Sequence, residues 1–360
     1  MSILPPIVKA LLESQAYPHK PQKIELVQTQ MSYIFLTGEY VYKVKKPVNL
    51  GYLDYTTLEK RHFFCHQELN LNKRLCPDAY LAVVPITMSL RGAKRRGNLI
   101  RIEGRCEAIE YAVKMKQLPR DRMMDVLLLQ GQVTLEMVAR VAEKLVDFHE
   151  RAETNQEIAA FGSLDIVRQN TDENFSQTEK YIGISITAEQ YQHIMNYTND
   201  FVASNASLFE KRVREGRIRD CHGDLHTAHV CFTAPDLIGG ICIYDCIEFN
   251  DRFRYSDVAS EIAFLAMDLD CYKQVGLSRH LVNTYVGLSH DEGLLKLLNF
   301  YKCYRAYVRG KVESFKLDDP YIPEVEKANV LTAAQSYFQL AVSYAQVSVD
   351  PPPSTGEGES

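Results

Sequence analysis

The sequence predicts an α+β chain in two lobes. Strand-like segments crowd into its first third. Beyond residue 120 the apolar spacing becomes helical, and a single β element at 229–249 interrupts the helices.

Taken in order, residues 5–16 read as a short helix opening at Pro5-Pro6, since proline suits a first helical turn. Ile24–Val27 and Tyr33–Leu36 read as strands joined through residues 28–32. Thr37-Gly38-Glu39 is a turn, and Tyr40–Lys45 a third strand. A helix follows from about Thr57 to Leu75, with the spacing of a capping box at Thr56-x-x-Glu59 and a stop at Pro77. Leu81–Thr87 and Leu99–Glu103 read as strands around a basic turn containing Lys94, Arg95 and Arg96, a solvated hairpin tip. Ala108–Met115 is a further strand, ended by Leu118-Pro119. Leu135–Arg151 carries Val138, Val141, Ala142, Leu145 and Val146 at helical spacing, and 188–214 and 293–314 read as helices too. The Pro-, Gly- and Ser-rich stretch 350–360 reads as a disordered tail. The expected organisation is an N-lobe over 1–117, a C-lobe over 118–349 and that tail.

Composition excludes several classes. Of 360 residues, 46% are hydrophobic and 24% charged, which is ordinary for a globular chain. A net charge of -5 argues against nucleic-acid and membrane partners. The N-terminus lacks a basic flank followed by an apolar core, so no signal peptide is expected. No apolar run reaches the ~18 residues of a membrane span. The nine cysteines lie at irregular spacing, which predicts reduced, buried thiols in a cytoplasmic protein, with Cys242 and Cys246 in the core.

The chemistry concentrates in Cys221-His222-Gly223-Asp224-Leu225-His226-Thr227-Ala228-His229. Two short apolar stretches follow, Val230-Cys231-Phe232 and Ile241-Cys242-Ile243, around a turn holding Pro235, Asp236, Gly239 and Gly240. That pattern is a β-hairpin, and a hairpin returns Asp245 to the neighbourhood of Asp224 and His229. Phosphoryl transfer needs such an arrangement: one carboxylate for the acceptor hydroxyl and another to hold Mg²⁺ on the phosphates.

These residues carry a resemblance. His-Gly-Asp-Leu-His at 222–226, the aspartate of Tyr-Asp-Cys-Ile-Glu-Phe at 244–249 and Asp257 resemble the aminoglycoside phosphotransferase-like branch of the protein-kinase-like superfamily. Within it the chain looks most like a bacterial group in which some members are fused to a P-loop kinase domain; no GxxxxGK[ST] occurs here. The resemblance implies a protein-kinase-like two-lobed fold that uses ATP and Mg²⁺. By it, Asp224 is the catalytic base, Asp245 the main Mg²⁺ ligand, and His222 and Asp257 structural supports. His229 stands where kinases carry Asn. Imidazole suits Mg²⁺ poorly, so weak metal binding, phosphate contact and replacement by water all stay open.

The first third supplies an ATP side. Alternation puts Val41 and Lys43 on one face of their strand, an adenine roof beside a phosphate-binding ammonium, with Lys45 as the competitor. Glu68 falls within the stripe Phe64, Leu71 and Leu75, where a carboxylate needs a partner, and Lys43 is the expected one. Ser32 is a candidate phosphate cap, and Met115, Gln117 and Leu118 lie where the backbone would read adenine.

Other readings compete. His222, Asp224, His226 and His229 form the dense set that metal-dependent hydrolases use. A nucleotide-binding pseudokinase is another reading, and so is a protein Ser/Thr kinase. The absence of a long activation-loop-like segment after Asp245 favours a small-molecule acceptor. Tyr301, Tyr304 and Tyr307 read as helix packing rather than an acceptor pocket. His149 reads as a helix C-terminal dipole partner. Glu248, Asp251, Asp268 and Asp270 read mostly as solvated surface.

Overall fold

The computed structural model describes residues 4–90, 98–234, 240–319 and 322–346. The basic hairpin tip, most of the 233–240 turn and the C-terminal tail fall outside them. In chain order the elements begin with α1 (Pro6–Ala10), β1 (Glu25–Gln28), β2 (Ser32–Leu36), β3 (Tyr40–Lys45), α2 (Leu58–Lys73), β4 (Tyr80–Leu90), β5 (Asn98–Ile102), β6 (Ala108–Lys116), α3 (Met124–Leu129) and α4 (Leu135–Arg151). Then come α5 (Gln156–Ala160), α6 (Leu164–Thr178), α7 (Ala188–Ser204), α8 (Ala206–Arg214), β7 (Ile218–Asp220), β8 (Val230–Phe232) and β9 (Ile241–Ile243). The chain ends with α9 (Asp251–Arg254), β10 (Tyr255–Asp257), α10 (Val258–Cys271), α11 (Val275–Ser289), α12 (Gly293–Leu317) and α13 (Glu324–Ala345). The class is α+β, as expected. No helix among the described residues is long and apolar enough to cross a membrane.

Two compact units result: Met1–Arg151 with Cys221–Arg254, and Ala152–Asp220 with Tyr255–Ser360. The boundary expected after residue 117 falls inside the first.

In the first unit, six antiparallel strands run in the order β1-β2-β3-β6-β4-β5. Strand alternation divides the work of β3. Tyr42 and Val44 join Phe35, Val8, Leu11 and Tyr17 in one apolar cluster. Val41, Lys43 and Lys45 occupy the opposite face. A second cluster unites Cys65 and Leu69 of α2 with Tyr80, Val113, Cys231 and Cys242, so α2, β4, β6 and the β8–β9 hairpin share one core. That shared core brings the hairpin to α2.

Several local expectations are corrected. Thr57, not Thr56, caps α2 by accepting from the Lys60 N–H at 3.2 Å, while the Thr56 hydroxyl turns back to Asp54. The buried face of α2 carries Arg61, Cys65, Glu68, Leu69 and Asn72 rather than a Phe64–Leu71 stripe. Three of those five are polar, so apolar periodicity could not find the face. The helix expected over 188–214 is two, broken at Asn205, whose side-chain amide donates to the Phe201 carbonyl. Cys76 and Cys242, expected as thiols, form a disulfide with Cα atoms 4.6 Å apart. The other seven cysteines form no disulfide; Cys246 is buried as expected, whereas Cys106 is exposed.

In the second unit, α10 is buried along nearly its whole length. Phe264 and Met267 from it pack with Tyr307 of α12 and Phe338 of α13. Gly310 makes the α12–α13 approach possible, since a Cβ there would sit 2.9 Å from the Phe338 ring. Tyr301 and Tyr307 are buried in helix packing, as expected. Asp268 and Asp270 are buried rather than solvated; Asp270 accepts from Lys302 and Tyr344. His149 is buried in the last turn of α4.

Candidate active site

The segment after β7 is held in a conformation that only glycine tolerates in its middle. Gly223 has φ +89°, and a Cβ there would lie 2.9 Å from the Phe253 carbonyl. His222 is fully buried beside it. Its Nδ1 accepts from the Asp224 N–H at 3.3 Å, so its Nε2 carries the proton and donates to the Tyr244 carbonyl at 2.9 Å. His222 therefore ties the Asp224 segment to the end of β9. The Ile247 N–H adds a bond to the His222 carbonyl at 3.1 Å.

Asp224 and Asp245 both stay reachable, with side chains 35% and 41% exposed. Asp245 is one of few non-glycine residues with positive φ, +64°, a costly conformation that its surroundings must enforce. Two contacts do so: its N–H donates to the Tyr80 hydroxyl at 3.3 Å, and the next N–H, of Cys246, donates to Asn72 Oδ1 at 2.9 Å. Asn72 lies one turn beyond Glu68 on α2. Arg74, just past that helix, donates to the Cys221 carbonyl at 2.9 Å. One helix thus anchors both the Asp224 and the Asp245 segments. Neither Asn72 nor Arg74 was singled out in the sequence, because no motif marks them.

Lys43 joins the two halves of the site. Its Nζ lies 2.7 Å from Asp245 Oδ1 and 2.9 Å from Glu68 Oε1. Burial pushes the ammonium down, but Asp245 and Glu68 outweigh it and hold Lys43 well above its ordinary value. The same balance acts on Asp245: burial raises the carboxyl, and Lys43 holds it below the usual carboxylate range. Glu68 has no exposed surface and takes the same direction, burial against Lys43 and Lys45, ending below its ordinary value.

Lys45 is not a bystander. Its Nζ lies 2.8 Å from Glu68 Oε2 and pairs with Glu248, which also accepts from the Tyr55 hydroxyl at 2.7 Å. Glu248, expected at the surface, is buried. Asp251 alone of its group meets that expectation, as an exposed residue paired with Arg254.

His229 closes the other side. Its Nδ1 lies 2.8 Å from the Asp224 carbonyl, and its Nε2 3.6 Å from Asp245 Oδ2. Burial, with His226 adding to it, lowers its pKa to about 4, so the ring is neutral at pH 7. The His226 ring lies 3.9 Å away, centroid to centroid. Asp224, His226 and His229 place one ligand atom each within 4.8 Å of one another. Carboxylate oxygens on Asp224 and Asp245 suit a divalent cation, whereas the His229 nitrogen departs from an oxygen-only set.

Val41 is buried on the Lys43 face, its Cα opposite Met115 of β6. Gln117 serves the β2–β3 turn: its N–H donates to the Glu39 carbonyl at 3.0 Å, and its Oε1 accepts from the Gly38 N–H at 3.1 Å. Leu118 packs half-buried on the α2 cluster. Ser32 is buried and its N–H donates to Thr29 Oγ1 at 3.0 Å. Asp257 works in the second unit, accepting from Arg212 Nε at 2.8 Å and capping α10 through the Ala259 N–H.

No family profile matches the chain. It is 28% identical over 333 residues to an uncharacterised protein of Mycobacterium tuberculosis and, by the same measures, to one of Mycobacterium bovis. Those alignments cover 91% of this chain and 62% of each relative, so the chain spans less than two thirds of their length. Among solved structures it matches a choline/ethanolamine kinase family protein from Mesorhizobium loti, at 11% identity and TM-score 0.48 over 94% of this chain and 97% of that one. It also matches an aminoglycoside phosphotransferase from Alicyclobacillus acidocaldarius, at 12% identity and TM-score 0.45 over 96% and 95%. Each likeness stretches over nearly the whole chain, at low identity.

Proposed function

We propose that the chain is an ATP-dependent phosphotransferase that delivers the γ-phosphate to a hydroxyl of a small molecule. One observation carries the reading: Lys43 is held between Glu68 and Asp245, across 202 residues from the latter, with Asp224 beside the same His229. A lysine fixed by a helix carboxylate positions phosphate, and an exposed aspartate next to it holds the metal. A divalent ion, when bound, would neutralise charge on the transferring phosphate. Asp224 takes or orients the proton of the acceptor hydroxyl. Lys43 moves from Asp245 towards the phosphates as nucleotide arrives. The adenine roof falls to Val41, on the Lys43 face of β3.

A metal-dependent hydrolase built on Asp224, His226 and His229 is the second reading, favoured by the closeness of their ligand atoms. It leaves the Lys43–Glu68–Asp245 arrangement without a purpose.

Calorimetric titration with ATP, with and without divalent metal, tests the proposal. Metal-dependent binding that survives Asp224→Ala but weakens in Asp245→Ala is expected, with hydroxyl phosphorylation falling at least ~100-fold in Asp224→Ala. Full activity in Asp224→Ala, or no nucleotide binding by the wild type, overturns it.

A further inference from the structure

We propose that the metal site selects a first-row transition ion such as Mn²⁺ or Co²⁺ over Mg²⁺, with His229 Nε2 and Asp245 Oδ2 as joint ligands. The inference rests on the phosphotransferase reading and adds the metal's identity to it.

The hydrogen bonds of His229 carry the case. A carbonyl only accepts, so the 2.8 Å contact with the Asp224 carbonyl puts the ring proton on Nδ1. Nε2 is left with its lone pair, and among the described residues no hydrogen-bond donor meets it. What faces it is Asp245 Oδ2 at 3.6 Å, longer than an N–H···O bond and far longer than a charge-assisted one. Two electron-rich atoms therefore look at each other across a gap. A single ion bonded at about 2.1 Å to each fits that gap.

The backbone that carries the ring is also fixed in place. The His229 N–H donates to the His226 carbonyl at 2.9 Å, and its carbonyl accepts from the Tyr244 N–H at 3.1 Å. An imidazole whose far N–H is tied to a backbone carbonyl has the tautomer and orientation that metal-ligating histidines adopt. Mg²⁺ dehydrates reluctantly and favours oxygen, so a nitrogen in its shell is a loss. Transition ions gain from the same nitrogen, in the order Mn²⁺ below Co²⁺.

The test uses the purified full chain with a non-hydrolysable ATP analogue, titrated with Mg²⁺, Mn²⁺ and Co²⁺, for wild type and His229→Asn. Wild type is expected to bind Mn²⁺ and Co²⁺ more tightly than Mg²⁺. His229→Asn should lose about 10- to 100-fold in Co²⁺ and Mn²⁺ affinity while Mg²⁺ shifts by less than ~3-fold. Pulsed EPR of Mn²⁺ on the wild type needs no variant, and nitrogen hyperfine coupling from a ring is the expected signal. Nucleotide binding with no metal preference and no nitrogen coupling overturns the proposal and leaves the phosphotransferase reading standing. Absence of nucleotide binding with every metal overturns both. Tight zinc in the as-purified chain without nucleotide overturns it in favour of the hydrolase site.

Discussion

Lys45 and Glu248 form a buried ion pair that closes across 203 residues. Through Glu68 the pair is continuous with Lys43 and Asp245, so two lysines and three carboxylates share one network. Removing one member strands the rest in a poor solvent for charge. Lys45→Ala is expected to cost about 3–5 kcal/mol of stability, read from urea melts. Lys43→Ala should cost less stability and instead weaken nucleotide binding, because Lys43 is the lysine that reaches Asp245. Equal stability loss in both variants with no difference in nucleotide affinity would contradict this division of roles.

Arg212 of α8 pairs with Asp257 and Asp291 and is itself almost fully buried. Its guanidinium meets both carboxylates with paired N–H groups, a geometry that an ammonium cannot copy. Arg212→Lys is therefore expected to recover little of the ~3–5 kcal/mol lost in Arg212→Ala. Thermal melts of both variants decide the matter.

His229 gives the fold an acid-sensitive limb. Its folded pKa, about 4, lies below the ordinary histidine value, mainly through burial. Above pH ~6.5 the ring is neutral folded or unfolded and contributes no slope. As pH falls from there towards 4, the unfolded chain takes up a proton that the folded ring refuses, so stability falls. His229→Asn should flatten this limb by about one proton between pH 6.5 and 4. Urea melts across that range, with chelator present, measure it; identical slopes in the two proteins would show that His229 does not titrate this way.

The Cys76–Cys242 disulfide joins two segments of the first unit that lie 166 residues apart in the sequence. A non-reducing peptide map should recover the crosslinked pair. Reduction, or Cys242→Ser, is expected to lower stability by up to ~5 kcal/mol on chain-entropy grounds. Two free thiols at these positions in the native protein would refute the bond.

Much of the site was legible because its parts carry strong local signals. Glycine at 223 between His222 and Asp224, and a hairpin pattern leading to Asp245, bring those residues together by short-range geometry. Strand alternation put Lys43 on the face of β3 opposite Tyr42 and Val44, and the cost of burying a lone carboxylate predicted a partner for Glu68. Alternation also put Lys45 on that side, and sequence offers no rule to rank two lysines spaced by two. Asn72 and Arg74 escaped notice because backbone-anchoring side chains have no motif. Glu248 was misplaced for a related reason: an isolated glutamate looks solvated until its partner, 203 residues away, is known.

The sequence by itself determined the α+β class, the six strands of the first third with the helices near 57–75, 135–151 and 293–314, and the nearness of the His222–His229 segment to Asp245. Those features follow from period-2 and period-3.6 patterning and from turn chemistry, which act over a few residues. Only the tertiary structure decided that both lysines share Glu68, that α2 buries a polar face, that Cys76 meets Cys242, and that His229 aims a bare nitrogen at Asp245. Each of these depends on packing between segments far apart in the chain, where burial makes a charge or lone pair demand a partner that no local pattern names.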